Sequence, residues 1–386
     1  MKEKIIRKGI KTLTLVTRGL PLSDPNEETA DRCPRGTLYN RELNTDLLNE
    51  HAMSHVPRWR KELYKILPFT VSQVVEAYFN RHKYDVIISW YDAHALLFAL
   101  LLKLTRSRVP HIALMSWISK PKKAFLLKRV YSHITTIVLW TSSHRDFAVN
   151  RLGIPPEKVR WIPYGVDQKF YRPFNCETDM ICSAGREMRD YLTLIEAMRG
   201  LDIRCHIAVA LRGKMYETVN AVYQQNSLPP NVTVGNLSPT QLRELYARSK
   251  FVVVPLLPTD SDNGLTVILE AMAMGKAVIC SRVKGQTDVI IENTTGIFVP
   301  QGDVSALRDA ISYFWQHPEI TEKMGREGRK RIEEKFTLDE FVDSVKAIAT
   351  EAILLERKAQ YNRSHLQKSR IETLEPQILD QNRETR

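Results

Sequence analysis

The sequence has no hydrophobic run long enough to cross a membrane. Its longest apolar run covers residues 93–102, about half of the roughly 20 residues that a transmembrane helix needs. The basic N-terminal segment has neither the sustained apolar region nor the small-residue cleavage site of a secretory signal, so we expect a cytoplasmic protein. The five cysteines form no Cys-x-x-Cys pair, which favours reduced thiols, and we expect no structural metal.

The first half of the sequence also has little acidic charge. Residues 1–172 carry 29 Lys and Arg against 15 Asp and Glu, whereas the rest of the chain carries 27 against 29. The whole net charge of +12 therefore originates in the first half, with a concentration around residues 120–129. Such a patch attracts anionic surfaces. We expect no nucleic-acid partner, because no recognised nucleic-acid module is present and the excess charge is confined to one domain.

Short apolar strands alternate with amphipathic helices along most of the chain. Residues 84–90, for example, have the composition of a buried strand, and residues 92–104 follow as a helix. A segment rich in proline and aromatic residues, residues 152–174, interrupts the alternation before a second series begins. The pattern predicts an α/β protein with two Rossmann-like, doubly wound domains that face each other across a cleft. The expected divisions are residues 1–170, residues 171–350 and a polar C-terminal tail at residues 351–386.

One stretch of the second series carries two carboxylates around the start of a helix. Residues 262–278 read DNGLTVILEAMAMGKAV, and the apolar spacing after Gly264 is helical. The first N–H groups of a helix lack intrahelical partners and lie at the positive end of the dipole, so this start can bind an anion. Gly264 allows a phosphate to approach the backbone, and Glu270 can accept two hydroxyls of a ribose. The pattern is equally compatible with a capped helix that carries a solvated glutamate.

The same stretch resembles the C-terminal half of the retaining GT-B glycosyltransferases of the family 4 type. In that family two acids separated by seven residues precede the motif AMAxGxPV, and here Asp262 and Glu270 precede AMAMGKAV. Further matching segments are LGIPPEKVRWIPYGVD, SAGREMRDYLTLIEAM and VTVGNLSPTQLRELYARSKFVVVPL. They occur in the family's order within residues 151–348, about half of the chain.

The resemblance implies that the second domain binds a nucleotide-sugar and the first domain binds the acceptor, without a divalent metal or a cofactor. Arg186 matches the arginine that binds the donor diphosphate, and Arg189 lies where the family usually has lysine. Glu270 matches the ribose-binding acid, and Gly19 matches the loop that closes over the donor phosphate. The other residues expected to bind the donor are Asn236, Asn263, Gly264, Leu265 and Thr266.

The first acid departs from the family pattern. Asp262 stands where the family has glutamate, and the spacing from Gly264 to Glu270 is one residue longer than in the commonest motif. Two residues are therefore candidates for the contact to the transferred sugar, Asp262 and Asn263. The expected catalytic group comprises Arg186, Arg189, Asp262 and Glu270.

The acceptor side departs from the pattern as well. Ser116 stands where many relatives have a histidine that touches the sugar and the acceptor. The nearby candidates for this role are His94, Asp92 and Trp117. A histidine at the start of a helix is also a common packing or capping residue, so the role of His94 is open.

A segment of the first half has the composition of a membrane-surface helix. It begins at Lys120, ends at Ile134 and reads KPKKAFLLKRVYSHI. Basic residues interspersed with apolar ones suit a helix that lies on an anionic membrane, and family members that glycosylate lipid carriers dock in this way. A solvated basic face, or a face that attracts an anionic soluble acceptor, explains the composition equally well.

The sequence favours a retaining glycosyltransferase that moves a sugar from a UDP- or GDP-sugar to a glycan or lipid-linked acceptor. Such a protein would work in the cytoplasm, or peripherally on the inner face of the membrane. The alternative is a non-catalytic relative that only binds nucleotide-sugars, because Ser116 replaces the histidine and the acids are spaced differently. A phosphorylase is disfavoured, since we identify no lysine that would hold pyridoxal phosphate.

Overall fold

Two parallel six-stranded sheets form the framework of the molecule. The computed structural model describes residues 10–17, 24–209, 228–286 and 288–381. In spatial order, the first sheet contains β2 (Thr45–Leu48), β1 (Thr12–Leu15), β3 (Val86–Trp90), β4 (His111–Met115), β5 (Thr136–Leu139) and β6 (Val159–Trp161). The second sheet contains β12 (Gly296–Val299), β11 (Ala277–Ser281), β10 (Ser249–Val254), β7 (Met180–Ala184), β8 (Arg204–Ala208) and β9 (Val232–Gly235). The predicted pair of doubly wound α/β domains is confirmed.

Helices connect the strands and flank the sheets. In the part of the chain that the structure describes, the α-helices are α1 (Pro25–Thr29), α2 (Thr37–Glu42), α3 (Glu50–Ser54), α4 (Arg58–Lys65), α5 (Phe69–Asn80), α6 (Asp92–Leu104), α7 (Pro121–Val130), α8 (Ser142–Asp146), α9 (Tyr191–Met198), α10 (Pro239–Arg248), α11 (Leu265–Ala273), α12 (Val304–Gln316), α13 (Pro318–Lys335) and α14 (Leu338–Gln381). Strands covered by helices on both faces have apolar residues at successive positions. Ile87 and Ile88 in β3 show this, since both are fully buried although they point to opposite faces.

Each sheet has one point at which the order of its strands reverses. In the first sheet this point lies between β1 and β3, and in the second it lies between β7 and β10. In open parallel sheets, ligands bind beyond the carboxyl ends of the strands at these points. The fold therefore indicates where a site should lie before any side chain is considered.

The last helix, α14, returns from the second sheet to the first. The chain crosses between the domains at Val166, whose N–H donates to the Phe336 carbonyl at 2.9 Å and whose carbonyl accepts from the Leu338 N–H at 2.8 Å. Gly165 is required here, because a Cβ would lie 2.5 Å from the Phe341 Cβ. The apolar face of α14 packs in one core with residues of β3, β4 and β5. The helix is continuous through residue 350, where the second domain was predicted to end and the C-terminal tail to begin. The proposed division into domains stays a prediction.

The helix α7 uses most of its apolar residues inside the protein. Ala124, Leu127 and Val130 are buried in a core with β4 and β5. Phe125 is exposed, with the Arg129 guanidinium carbon 3.3 Å from its ring centroid. The predicted membrane surface at residues 120–134 therefore offers one large exposed apolar side chain.

Among the helices of the described residues, none combines the length and the apolar composition of a membrane-spanning segment.

Candidate functional site

A cleft of about 350 Å³ lies between the two sheets, at their carboxyl ends. The first sheet contributes residues at and after the ends of β3, β4, β5 and β6. The second contributes the loop after β7 and the start of α11. The residues that line the cleft are Trp90, Tyr91, Leu114, Ser116, Trp140, Tyr164, Gly185, Arg186, Glu187, Arg189, Asp262, Asn263, Gly264, Leu265 and Thr266. The structure thus brings together most of the residues predicted for donor and acceptor.

The start of α11 faces this cleft through a glycine. Gly264 is the N-cap and has φ of +93°, a left-handed conformation that side chains disfavour. A Cβ at this position would also lie 3.0 Å from the Val254 Cγ1 atom. Thr266, in the first turn, is exposed, while Leu265 is buried. The helix therefore presents backbone N–H groups and one hydroxyl to the cleft, a combination suited to an anion.

Replacing Gly264 with alanine should destabilise the protein by about 1–2 kcal/mol, because alanine disfavours a left-handed backbone. Gly302 is a matched control, since its φ is +69° and an added Cβ there would meet nothing within 4 Å. The free energies of unfolding in urea are compared for Gly264→Ala and Gly302→Ala. The loss in Gly302→Ala measures backbone strain alone, and any further loss in Gly264→Ala is due to the contact with Val254. Equal stability of the Gly264 variant and the wild type would contradict the assignment of this cap.

The loop after β7 holds its two arginines in different ways. Arg186 is exposed at the cleft. Arg189 is only 4% exposed, and its Nε and Nη1 donate to the carbonyls of Ala184 at 2.9 Å and Glu187 at 2.8 Å. Its guanidinium lies against Gly185, where a Cβ would be 2.2 Å from Nη2. Arg186 is thus placed to meet an anion, whereas Arg189 chiefly fixes the loop and adds positive charge at the wall of the cleft.

Glu270 lies below the start of α11, in contact with two tyrosines. The Tyr246 hydroxyl donates to Oε2 at 2.8 Å, and the Tyr171 hydroxyl also hydrogen-bonds the carboxylate. Burial raises the pKa of Glu270 to about 7, although both hydroxyls and the charge of Arg189 act in the opposite direction. The sequence pattern identified Glu270 but missed both tyrosines, which come from α10 and from the crossing between the domains.

Asp262 and Asn263 both line the cleft, directly before α11. Burial raises the pKa of Asp262 to about 6, and the negative charges of Asp92 and Glu187 add to the rise. Asn263 is held at two atoms: its Oδ1 accepts from the Thr259 hydroxyl at 2.9 Å, and its carbonyl accepts from the Gln286 amide at 2.7 Å. Both remain candidates for the contact to a sugar.

On the opposite wall, Asp92 organises the loop after β4. The carboxylate is only 4% exposed and accepts from the Ser116 N–H at 2.9 Å and the Trp117 N–H at 3.3 Å, and it contacts the Lys123 ammonium. Ser116 lines the cleft, whereas Asp92 lies behind it. Asp92 is therefore a positioning residue rather than one that faces a ligand. The hydroxyl of Ser261, from the second domain, donates to the Ser116 carbonyl at 3.4 Å.

Replacing Asp92 with alanine should cost about 1–3 kcal/mol of folding stability, because two backbone N–H groups lose their acceptor. Asp92→Asn keeps one acceptor oxygen and should lose less. Asp146→Ala is the control, since that aspartate is exposed on α8. The three variants are compared by urea unfolding, and equal stability of all three would show that Asp92 does not hold the loop.

His94 does not belong to the cleft. It is 2% exposed, and its Nε2 lies 2.9 Å from the Gln73 Oε1 atom inside the first domain. Burial lowers its pKa to about 4, so the ring is neutral near pH 7. In this structure the ring of His94 packs inside the first domain, and its role on the acceptor side stays a prediction. One sequence shows that a histidine starts a helix but not which way the ring points.

Contacts across the cleft entrance were not anticipated from the sequence. The Trp117 indole N–H, predicted only as a possible acceptor contact, donates to the Asp260 Oδ1 atom of the second domain at 2.7 Å. Asp288 accepts from the Ser142 N–H at 2.8 Å and from its hydroxyl at 2.6 Å, so it caps α8 from the opposite domain. The structure thus records the two domains in contact around the cleft.

Of the other predicted donor residues, one lies elsewhere and one lies outside the described part of the chain. Asn236 is exposed directly after β9, outside the residues that line the cleft. Gly19 lies outside the described residues. In the described part of the chain, no group of three His, Cys, Asp or Glu side chains is arranged to hold a metal ion.

Two family models match the chain, one for each domain. The model of glycosyltransferase family 4 matches residues 12–170, and the model of glycosyl transferases group 1 matches residues 173–331. Over 191 residues the chain is 33% identical to the capsular polysaccharide biosynthesis glycosyltransferase CapM of Staphylococcus aureus, which covers 48% of this chain and 49% of that protein. The matched part spans about half the length of the curated relatives.

Solved structures match over almost the whole chain. Sucrose-phosphate synthase (tll1590) from Thermosynechococcus elongatus has a TM-score of 0.69 and 18% identity, and the match covers 92% of this chain and 100% of that one. Alr3699/HepE from Anabaena, in complex with UDP and glucose, has a TM-score of 0.67 and 16% identity, with 87% and 98% covered. At these identities the likeness establishes the fold alone.

Proposed function

We propose that this chain, which belongs to the glycosyltransferases of the GT-B fold, transfers a sugar from a UDP- or GDP-sugar to a glycan or lipid-linked acceptor. We further propose that the anomeric configuration is retained. The observation that carries the proposal is the convergence of Arg186 and the start of α11 on one side of a cleft whose other side is built by the first domain, with Glu270 further along α11.

The second domain offers groups complementary to the diphosphate, the ribose and the sugar of a nucleotide-sugar. The diphosphate would lie on the N–H groups of α11 with Arg186 beside it, and Glu270 would accept the ribose hydroxyls. Asp262 or Asn263 would contact the transferred sugar. Alr3699/HepE, which shares the fold, was solved in complex with UDP and glucose. A nucleotide-sugar as the ligand of this cleft agrees with that complex.

Charge development at the leaving group explains why such a site would accelerate transfer. Breaking the bond between the anomeric carbon and the phosphate oxygen leaves positive character on the sugar and negative charge on the diphosphate. Groups fixed in advance around that diphosphate stabilise the transition state more than the bound substrate. Arg186 and the helix dipole of α11 supply this positive potential from the protein itself, so we propose a reaction that needs no divalent metal and no cofactor.

The first domain would bind the acceptor against an aromatic surface. Trp90, Trp140 and Tyr164 line this side of the cleft, with the rings of Trp140 and Tyr164 5.3 Å apart between centroids. Flat aromatic faces with polar edges suit the apolar faces and hydroxyl edges of a sugar ring. A glycan acceptor is also in line with the similarity to CapM, whose name assigns it to capsular polysaccharide biosynthesis.

A non-catalytic nucleotide-sugar-binding protein is the second candidate. It is favoured by Ser116, which supplies only its hydroxyl and backbone at the position where a histidine is expected, and by His94 lying outside the cleft. Such a protein would bind the donor through the same second-domain groups but would not cleave it.

Donor binding and cleavage distinguish the two candidates. We would incubate the protein with UDP-, GDP- and ADP-sugars, with and without EDTA, and follow thermal stability together with slow hydrolysis of the donor. Stabilisation by one donor that is also cleaved, regardless of EDTA, is the expected result. A donor that binds but is not cleaved, even with glycan and lipid-linked acceptors added, would support the binding protein, and no response to any donor would exclude both.

A further inference from the structure

The helix α4 turns large apolar side chains towards solvent. Trp59 is 63% exposed, Ile66, directly after the helix, is 80% exposed, and Leu63 and Phe79 are also exposed. Positions 59, 63 and 66 share one face of a helix, because they are four and seven residues apart. Trp59 continues this face to Phe79 on α5, with the ring centroids 6.1 Å apart. Together these four residues form a single exposed apolar surface, which we name the α4 surface.

Buried polar contacts fix α4 in this orientation. Arg60, whose guanidinium lies over the rings of Trp59 and Phe79, donates to both carboxylate oxygens of Glu76 at 2.8 and 2.9 Å. The Tyr64 hydroxyl donates to the same carboxylate at 2.8 Å. Glu76 is almost fully buried in α5, so the ion pair is shielded from solvent. Arg60 and Tyr64 thus anchor α4 to the protein through Glu76, while its large apolar side chains face outwards beside exposed basic ones.

Basic residues border the α4 surface. Arg58, Lys61 and Lys65 are exposed on the same short helix, and its one acidic residue, Glu62, is paired with Lys65 at 2.7 Å. The excess positive charge of the chain also lies in this half of the sequence. An apolar surface with a tryptophan and a cationic border complements the interface of an anionic bilayer, where apolar side chains enter the acyl region and cations meet headgroups.

We propose that the α4 surface docks the first domain on anionic phospholipid membranes. The surface differs from residues 120–134, where Ala124, Leu127 and Val130 are buried and Phe125 is the large exposed apolar residue. Docking through α4 is independent of the proposed transfer reaction, because no residue of the α4 surface lines the cleft. It would hold the acceptor-binding domain at the membrane and leave the second domain in solution.

Sedimentation with vesicles tests the proposal. The full chain is mixed with vesicles of phosphatidylcholine alone, or of phosphatidylcholine with 30% phosphatidylglycerol, and the bound fraction is measured against lipid concentration. We expect binding to the anionic vesicles, lowered at least about tenfold in Trp59→Ser/Ile66→Ser, since two large apolar side chains would no longer be buried. Arg58→Gln/Lys61→Gln/Lys65→Gln should lose the preference for anionic vesicles.

Matched controls separate docking from general effects of the substitutions. Leu192→Ser removes an exposed leucine of α9 in the second domain, and Phe125→Ser removes the exposed residue of α7; both should bind as the wild type does. Thermal unfolding checks that each variant is folded. Unchanged vesicle binding of Trp59→Ser/Ile66→Ser, or absence of wild-type binding, would overturn the proposal. A dimer in solution that the same variant dissociates, without vesicle binding, would instead identify α4 as a protein interface.

Discussion

Replacing Arg186 with alanine should lower the turnover of the donor at least about tenfold, equivalent to about 1.4 kcal/mol or more. Arg186 is exposed at the cleft beside the start of α11, where the donor diphosphate is proposed to lie. A guanidinium can bind two phosphate oxygens at once, and its contribution grows as negative charge develops on the leaving group. The effect should therefore appear in kcat as well as in kcat/KM.

Two further variants make the test of Arg186 specific. Arg186→Lys keeps the charge but loses the bidentate contact to the phosphate oxygens. Its turnover should therefore lie between that of the wild type and that of Arg186→Ala. Arg326→Ala removes an arginine that is exposed on α13, and it should leave turnover unchanged. If Arg186→Ala and Arg326→Ala behave alike, the diphosphate does not lie at Arg186.

Replacing Glu270 with alanine should weaken donor binding at least about tenfold, because the ribose hydroxyls lose their acceptor and a cavity forms beside two tyrosines. Binding is measured with the donor identified in the hydrolysis panel. Glu196→Ala is the control, since that glutamate is exposed on α9. Unchanged affinity in Glu270→Ala would remove the ribose from this position.

The raised pKa of Glu270 adds a pH dependence with a definite sign. An ionised Glu270 carboxylate can accept hydrogen bonds from both ribose hydroxyls of the donor, so the donor favours the deprotonated form of Glu270. The affinity of the protein for the donor should therefore fall as the pH falls below about 7. In the ligand-free protein the direction is opposite. The folded state holds this proton more tightly than the unfolded state, so the contribution of Glu270 to stability should decline as the pH rises from 4.5 to about 7. Glu270→Gln should flatten both dependences.

The start of α11 shows which features one sequence predicts well. The glycine, the helix period and the acid within the helix are local, and the structure has a helix starting at Leu265 with a left-handed Gly264 before it. The same applies to the fold, because alternating strands and helices leave few topologies other than parallel sheets. Local patterns of this kind specify backbone conformation directly.

Side-chain direction, in contrast, depends on tertiary contacts that one sequence does not contain. Arg189 and Arg186 are three residues apart and chemically alike, yet one is buried on two carbonyls while the other is exposed. His94 was predicted near the acceptor, but Gln73 in another helix holds its ring. The α4 surface was not recognised, because its apolar residues resemble those of any amphipathic helix until the contacts of Glu76 show which residues are anchored.

The path of α14 has a consequence for the order of folding during synthesis. The face of the first sheet that contains Val86, Ile88 and Ile112 is covered by residues from Phe341 to Ile353. A ribosome must therefore add nearly 200 residues after β6 before this face can be shielded, and until then it is exposed to aggregation and to chaperones. This face of the first sheet is thus expected to become protected against hydrogen exchange late, although it is synthesised early.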